Sequence, residues 1–241
     1  MPAAIVVGAS SGIGRALAKE LAKRGYSLGL VARRAELMHE LAAKLGGSPI
    51  VAVMDVTRLE ETARKLTAMF EELGTVDLFV YNSGIGLENP PLDLKPELDT
   101  VRVNVLGFVN AMNVAVKMME RQGHGHLVGI SSISAFRGGA IAPAYGASKA
   151  FMSNYLEALY CRMKLLSSAY TVTTVLPGFV DTPMTKSVRN KFWVATRHKA
   201  ARQIMDGIAS KRRIVYVTRR WRLVAWFMRA LPSRLWVKIQ S

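Results

Sequence analysis

The chain has 241 residues, 50% apolar and 21% charged, with 33 Lys and Arg against 17 Asp and Glu for a formal net charge of +16. That length suits one domain, and that apolar share is too high for a disordered chain. The single cysteine, Cys161, excludes an internal disulfide and fits a reducing cytosol, and no apolar run reaches the roughly 18–20 residues of a spanning helix. The opening Met1-Pro2-Ala3-Ala4-Ile5 carries no basic start and reads as a buried strand entered at once, not as a secretory leader. Ala3–Val7 is a short apolar run, followed by a glycine cluster and a helical pattern over Arg15–Arg24. Ser27–Val31 is a second run, and Arg34–Leu45 is helical again. Ile50–Val53 and Val76–Tyr81 are further runs, separated by the amphipathic stretch Leu59–Leu73. A long helix is predicted over Leu98–Arg121, a strand over Leu127–Ser131 and a helix over Tyr145–Leu166. Thr171–Leu176 and Ile214–Val217 complete seven candidate strands. Short apolar strands alternating with helices predict the α/β class, a doubly wound parallel sheet of seven strands with helices on both faces.

The first turn reads Gly8-Ala9-Ser10-Ser11-Gly12-Ile13-Gly14, between a strand and a helix. Glycines there let the backbone turn sharply and approach a pyrophosphate, while the helix behind aims free N–H groups and its positive dipole end at the phosphates. This predicts a dinucleotide site in a Rossmann sheet, with one dinucleotide-binding and catalytic domain spanning 1–241. An acid at the end of the second strand would select NAD, and an arginine would accommodate the 2′-phosphate of NADP. The chain has Ala32 and then Arg33, whose guanidinium suits a phosphate, so NADP(H) is the predicted cofactor, with Ser11 as a further donor. Arg34 is read as the start of a solvated helix.

Tyr145 and Lys149, four residues apart on a predicted helix, share one face and can reach one site. A free phenol is a poor acid–base catalyst at neutral pH, and a nearby ammonium favours its ionised form. A serine at the end of the adjacent strand, Ser131 or Ser132, can hold a substrate oxygen.

With its G-x-x-x-G-x-G turn and Tyr-x-x-x-Lys pair, the chain resembles the short-chain dehydrogenase/reductase family, in its NADP(H)-preferring form, from about Ala3 to Met184. The resemblance implies that Ser132, thirteen residues before Tyr145, is the catalytic serine, and that Asn104 supports a water-linked proton relay to Lys149. It places Asp55 and Val56 beside the adenine, Asn82 and Gly84 at the central sheet, and Pro177, Gly178, Val180 and Thr182 around the nicotinamide. Two departures are minor: Val7 stands where threonine is usual and Ser83 where alanine is usual. The family also implies a homodimer or homotetramer, pairing through the long helices near Asn104 and Tyr145. His39, His124, His126 and His198 form no metal spacing with each other or with Cys161, so no metal is predicted, and His124-Gly125-His126 reads as a plain turn.

The positive charge is concentrated late: from Arg189 onward there are 14 Lys or Arg and one acid, Asp206. Residues 185–210 are expected to form a substrate lid, in which Phe192, Trp193 and Val194 either line its inner face or pack in the core. Residues 219–241 form a basic amphipathic appendage. In it Arg222 and Arg229 lie on one side of a helix, with Leu223, Val224, Phe227, Met228 and Leu231 opposite. Its greasy face suits an anionic membrane surface, or equally its own domain or an oligomer interface. Nucleic acid ranks third, since the tail has no recognised nucleic-acid module.

The function expected is NADP(H)-dependent interconversion of an alcohol and a ketone or aldehyde on an apolar or lipid-like substrate. The alternatives are a reductase of a 3-ketoacyl thioester on a carrier protein or CoA, and a non-catalytic NADP(H)-sensing protein. The expected location is cytoplasmic, with membrane association through the C-terminal helix.

Overall fold

A computed structural model describes residues 1–186, 188 and 191–240. The chain alternates β1 (Ala3–Val7), α1 (Gly12–Lys23), β2 (Ser27–Ala32), α2 (Ala35–Leu45), β3 (Ile50–Val53), α3 (Leu59–Leu73) and β4 (Leu78–Tyr81). It continues through α4 (Leu94–Val101), α5 (Gly107–Gln122), β5 (Gly125–Ile130), α6 (Pro143–Leu166), β6 (Tyr170–Pro177), α7 (Arg197–Ala209), β7 (Ile214–Val217), α8 (Trp221–Ala230) and α9 (Ser233–Gln240). The seven strands form one parallel sheet in the order β3-β2-β1-β4-β5-β6-β7. This is the doubly wound fold expected from the sequence.

Ile5 and Val7 enter one core layer and Ala4 and Val6 the other, so the period of two buries both faces of β1 and its sequence is apolar throughout. One layer is filled by α1, α2 and α7 through Leu17, Leu21, Met38, Leu41, Ile204 and Met205. The other is filled by α3, α5 and α6 through Leu66, Phe70, Phe108, Met112, Met152 and Leu156. The strand order reverses direction between β1 and β4, and the crevice at their carboxyl ends is where such sheets bind ligands.

Several elements differ from the sequence reading. The helix expected over Leu98–Arg121 is two helices joined by a π turn at Arg102–Leu106, where the Gly107 N–H donates to the Arg102 carbonyl. β4 starts at Leu78 because Asp77 serves the strand end, its carboxylate accepting the Ala3 N–H at 2.8 Å. His126 lies within β5, not in a turn. Its Nε2 meets Thr173 Oγ1 at 2.8 Å, and burial lowers its pKa to about 4, keeping the ring neutral.

α7 buries Ala200, Ala201, Ile204, Met205 and Ile208 in the layer it shares with α1, so the second half of the predicted lid is a core helix. Ser187, Arg189 and Asn190 of that stretch lie outside the described residues, as does Ser241 of the appendage. On α8, Trp221, Ala225 and Met228 are buried while Leu223, Trp226 and Phe227 are exposed, so Met228 belongs to the inner face and not to the face predicted for it. No helix among the described residues is long and apolar enough to cross a membrane.

Candidate active site

A groove of about 1150 Å³ opens at the carboxyl end of the sheet, floored by the first turn and walled by the ends of β2, β4, β5 and β6. Three of the turn's glycines are there for space. Gly8 has φ +90°, and a Cβ on it would fall 2.6 Å from the Ser83 nitrogen; one on Gly14 would fall 2.5 Å from Asn82 Nδ2. Asn82 Nδ2 in turn donates to the Gly8 carbonyl at 2.9 Å, tying β4 to the turn. Gly12, at φ +57°, opens α1 and faces the Thr182 side chain across the groove. Ser11 occupies the N-cap position of α1, yet its side chain caps no helix N–H, and the first turn carries no acid. The amino end of α1 thus keeps its donors and dipole for an anion, as a dinucleotide pyrophosphate requires.

Arg34 Nη2 donates to Ser10 Oγ at 2.8 Å and to Ser11 Oγ at 2.7 Å. Arg34 starts α2 and is exposed, as the sequence reading has it, but its guanidinium is also tied back to the first turn. Arg33 lines the same end of the groove and lies 3.6 Å from the Asp55 carboxylate. Burial works to raise the Asp55 carboxyl, but hydrogen bonds from Thr57 and the charge of Arg33 outweigh it and hold it below the usual range. Asp55 is not among the groove-lining residues; it holds the turn whose neighbours Met54 and Val56 are. Two guanidinium groups and two hydroxyls therefore converge where the second strand ends.

At the other end, Ser132, Tyr145 and Lys149 line the groove together. Ser132 sits at the start of a short 3₁₀ turn, Ile133–Phe136, where its Oγ accepts the Ser134 N–H at 3.1 Å. The Tyr145 phenol hydrogen-bonds the Ser132 hydroxyl. Ser131 also borders the groove, but its Oγ is held by the Lys149 carbonyl and Ser153 Oγ, both at 2.8 Å. Lys149 is buried, and its Nζ donates to the Ile130 carbonyl at 3.0 Å while lying 5.8 Å from the centre of the Tyr145 ring. Burial lowers the Lys149 pKa to about 8. It raises that of Tyr145, offset in part by the bond from Ser132. The phenol is thus not acidified as the helical spacing alone suggested; desolvation dominates.

Asn104 lies behind these groups, fully buried within the π turn. Its Oδ1 accepts the Ile85 N–H at 2.9 Å, and its Nδ2 donates to the Ile85 carbonyl at 2.8 Å and to Ser148 Oγ at 2.9 Å. These bonds use both amide donors, so the side chain positions the loop after β4 and the first turn of α6. Glycines on that loop give clearance. A Cβ on Gly84 would meet Lys149 Nζ at 3.3 Å, and one on Gly86 would meet the Tyr145 ring at 3.1 Å.

Gly86 escaped the sequence reading, although the repeat Gly84-Ile85-Gly86 was a visible signal. Glu97 escaped it too. Its Oε2 accepts the Ala144 N–H at 3.0 Å, satisfying a free donor at the start of α6 next to Tyr145. Of the other predicted cofactor residues, Ile13, Pro177, Gly178, Val180 and Thr182 line the groove, whereas Gly14 packs behind it.

A family model described as short chain dehydrogenase matches residues 2–192. A Myxococcus xanthus protein described as an "Uncharacterized oxidoreductase" is 35% identical over 240 residues, covering 96% of this chain and 90% of that one. A 3-oxoacyl-[acyl-carrier-protein] reductase of Bos taurus is 31% identical over 188 residues, covering 77% of this chain and 78% of that one. Among solved structures, a short chain dehydrogenase/reductase from Burkholderia phymatum, in complex with NAD, superposes with a TM-score of 0.84 at 20% identity, covering 93% and 91% of the two chains. A short-chain type dehydrogenase/reductase from Mycobacterium ulcerans gives 0.82 at 23% identity, covering 90% and 88%.

Proposed function

The chain belongs to the short-chain dehydrogenase family of oxidoreductases, and on that premise we propose that it interconverts an alcohol and a ketone or aldehyde on an apolar substrate, using NADP(H). The observation that carries the reading is the meeting of Ser132, Tyr145 and Lys149 in one groove with the glycine turn and the Arg33–Arg34 pair.

The backbone of Ser10 to Gly14 at the start of α1 would hold the pyrophosphate. Arg33, Arg34, Ser10 and Ser11 would hold the 2′-phosphate, with Val56 at the adenine, and Pro177, Gly178, Val180 and Thr182 would border the nicotinamide. When bound, the cofactor supplies or accepts the hydride. Ser132 Oγ orients the substrate oxygen. The Tyr145 hydroxyl gives that oxygen its proton in reduction, where burial favours the protonated start by raising its pKa, and in oxidation the phenolate takes the proton back. Lys149 stabilises the phenolate that proton loss leaves behind. Asn104 keeps the loop and α6 in register. Replacing Tyr145 with Phe should lower turnover of a responsive carbonyl by at least about a hundredfold while NADPH still binds. Turnover retained in Tyr145→Phe would refute the assignment.

The likeness to the Bos taurus reductase favours a second reading, reduction of a 3-ketoacyl thioester. Salt-sensitive activity on a carrier-bound thioester, absent on free ketones, decides for it.

A further inference from the structure

A second cleft lies between α7, β7 and α8 and shares no lining residue with the active-site groove. Arg212, Arg219, Arg222 and Arg229 all line it. Among the described residues none of the four forms an ion pair. The acid in the cleft, Asp206, is drawn toward Arg24 at 3.8 Å. From Gly207 onward the sequence has nine Lys or Arg and no acid. Gln203 Oε1 is buried in the cleft without a hydrogen-bond donor, and a rotated carboxamide would instead present N–H groups.

Directly beside the arginines α8 turns an apolar arc outward. Trp226, also a cleft residue, is 71% exposed and Leu223 is 70% exposed, with Phe227 next to them. Helical spacing sets Arg222 and Arg229 on one flank of this arc and the buried Trp221, Ala225 and Met228 at the opposite side.

We propose that this face docks on an anionic lipid bilayer, with lipid phosphates in the arginine cleft and the apolar arc of α8 at the headgroup–acyl boundary. A bilayer rewards both features at once: the cations through the negative surface potential, the apolar side chains through burial. An acidic protein or nucleic acid would answer the arginines but leave Leu223, Trp226 and Phe227 in water. A second copy of the chain would bring the same surplus of cations to any two-fold pairing of this face and no acid but Asp206 to answer it. The inference does not depend on which substrate is reduced, because its readout is lipid binding.

The test is co-sedimentation of the full chain with phosphatidylglycerol/phosphatidylcholine vesicles, against pure phosphatidylcholine vesicles, at low and high salt. Binding is expected only to the anionic vesicles. Arg222→Glu with Arg229→Glu should weaken it by about tenfold or more, and Leu223→Ser with Trp226→Ser should also weaken it at low salt. All four side chains are exposed, and circular dichroism checks that each variant folds, with the single changes Arg222→Glu and Leu223→Ser as substitutes. Three results overturn the proposal: no binding to anionic vesicles, binding lost with the arginines but indifferent to Leu223→Ser and Trp226→Ser, or a wild-type oligomer that dissociates in the Leu223→Ser, Trp226→Ser variant.

Discussion

Arg34 shows how one residue's role depends on a contact that lies far along the chain. Read locally it begins α2, and charged residues at such positions are usually solvated. In the fold its guanidinium reaches back to both serines of the first turn. No local pattern reports a bond made across that distance, whereas the place of Arg33 on the groove wall was legible because it follows directly on the end of a strand. If these groups hold the 2′-phosphate, Arg34→Ala should lower the ratio of kcat/KM for NADPH over NADH by roughly 10- to 100-fold, the range for losing charge-assisted hydrogen bonds. An unchanged ratio would remove Arg34 from the cofactor argument. Tyr145 and Lys149 were equally legible as a pair, but their protonation was not, because it follows from burial that spacing does not report.

The elements were read well where a repeat period carried them and poorly where it slipped. Seven strands were visible as apolar runs with nearly the observed ends. The π turn at Arg102–Leu106 was not, because one extra residue in a turn barely disturbs an apolar stripe, and that slip places Asn104 inside the core. The inner face of α8 was misread for a similar reason: a short helix with apolar residues nearly all round does not declare which edge packs. Trp221 decides it. Its ring meets Phe179 and Phe192 at centroid distances of 5.6 and 4.9 Å and covers Gly178 so closely that a Cβ there would overlap the indole. Gly178→Ala should therefore destabilise the fold by about 1–3 kcal/mol in denaturant titration, as overpacking does, and Trp221→Leu in the same chain should relieve part of that loss. Equal stability of Gly178→Ala and wild type would show that the indole is not held there.

At the scale of the whole molecule, a buried parallel sheet could be foreseen from alternation alone, whereas the outer surface could not. Leu98, Val101, Leu106 and Phe151 leave a partly open apolar face along α4, the π turn and α6. The pairing of copies that the family implies near Asn104 and Tyr145 has this face to act on, and none of these four residues lines the arginine cleft. Analytical ultracentrifugation should find a dimer or tetramer that Leu106→Glu with Phe151→Glu lowers by one step, dimer to monomer or tetramer to dimer; a wild-type monomer would discount the pairing. The hydroxyl of Ser11, turned to Arg34 instead of to the helix behind it, leaves α1 short of a cap at a position where one contributes about 1 kcal/mol. Whatever anion settles on that helix end completes a packed part of the core as well as a site. The lifetime of the chain in a protease-rich cell should then rise and fall with its supply of nicotinamide dinucleotide.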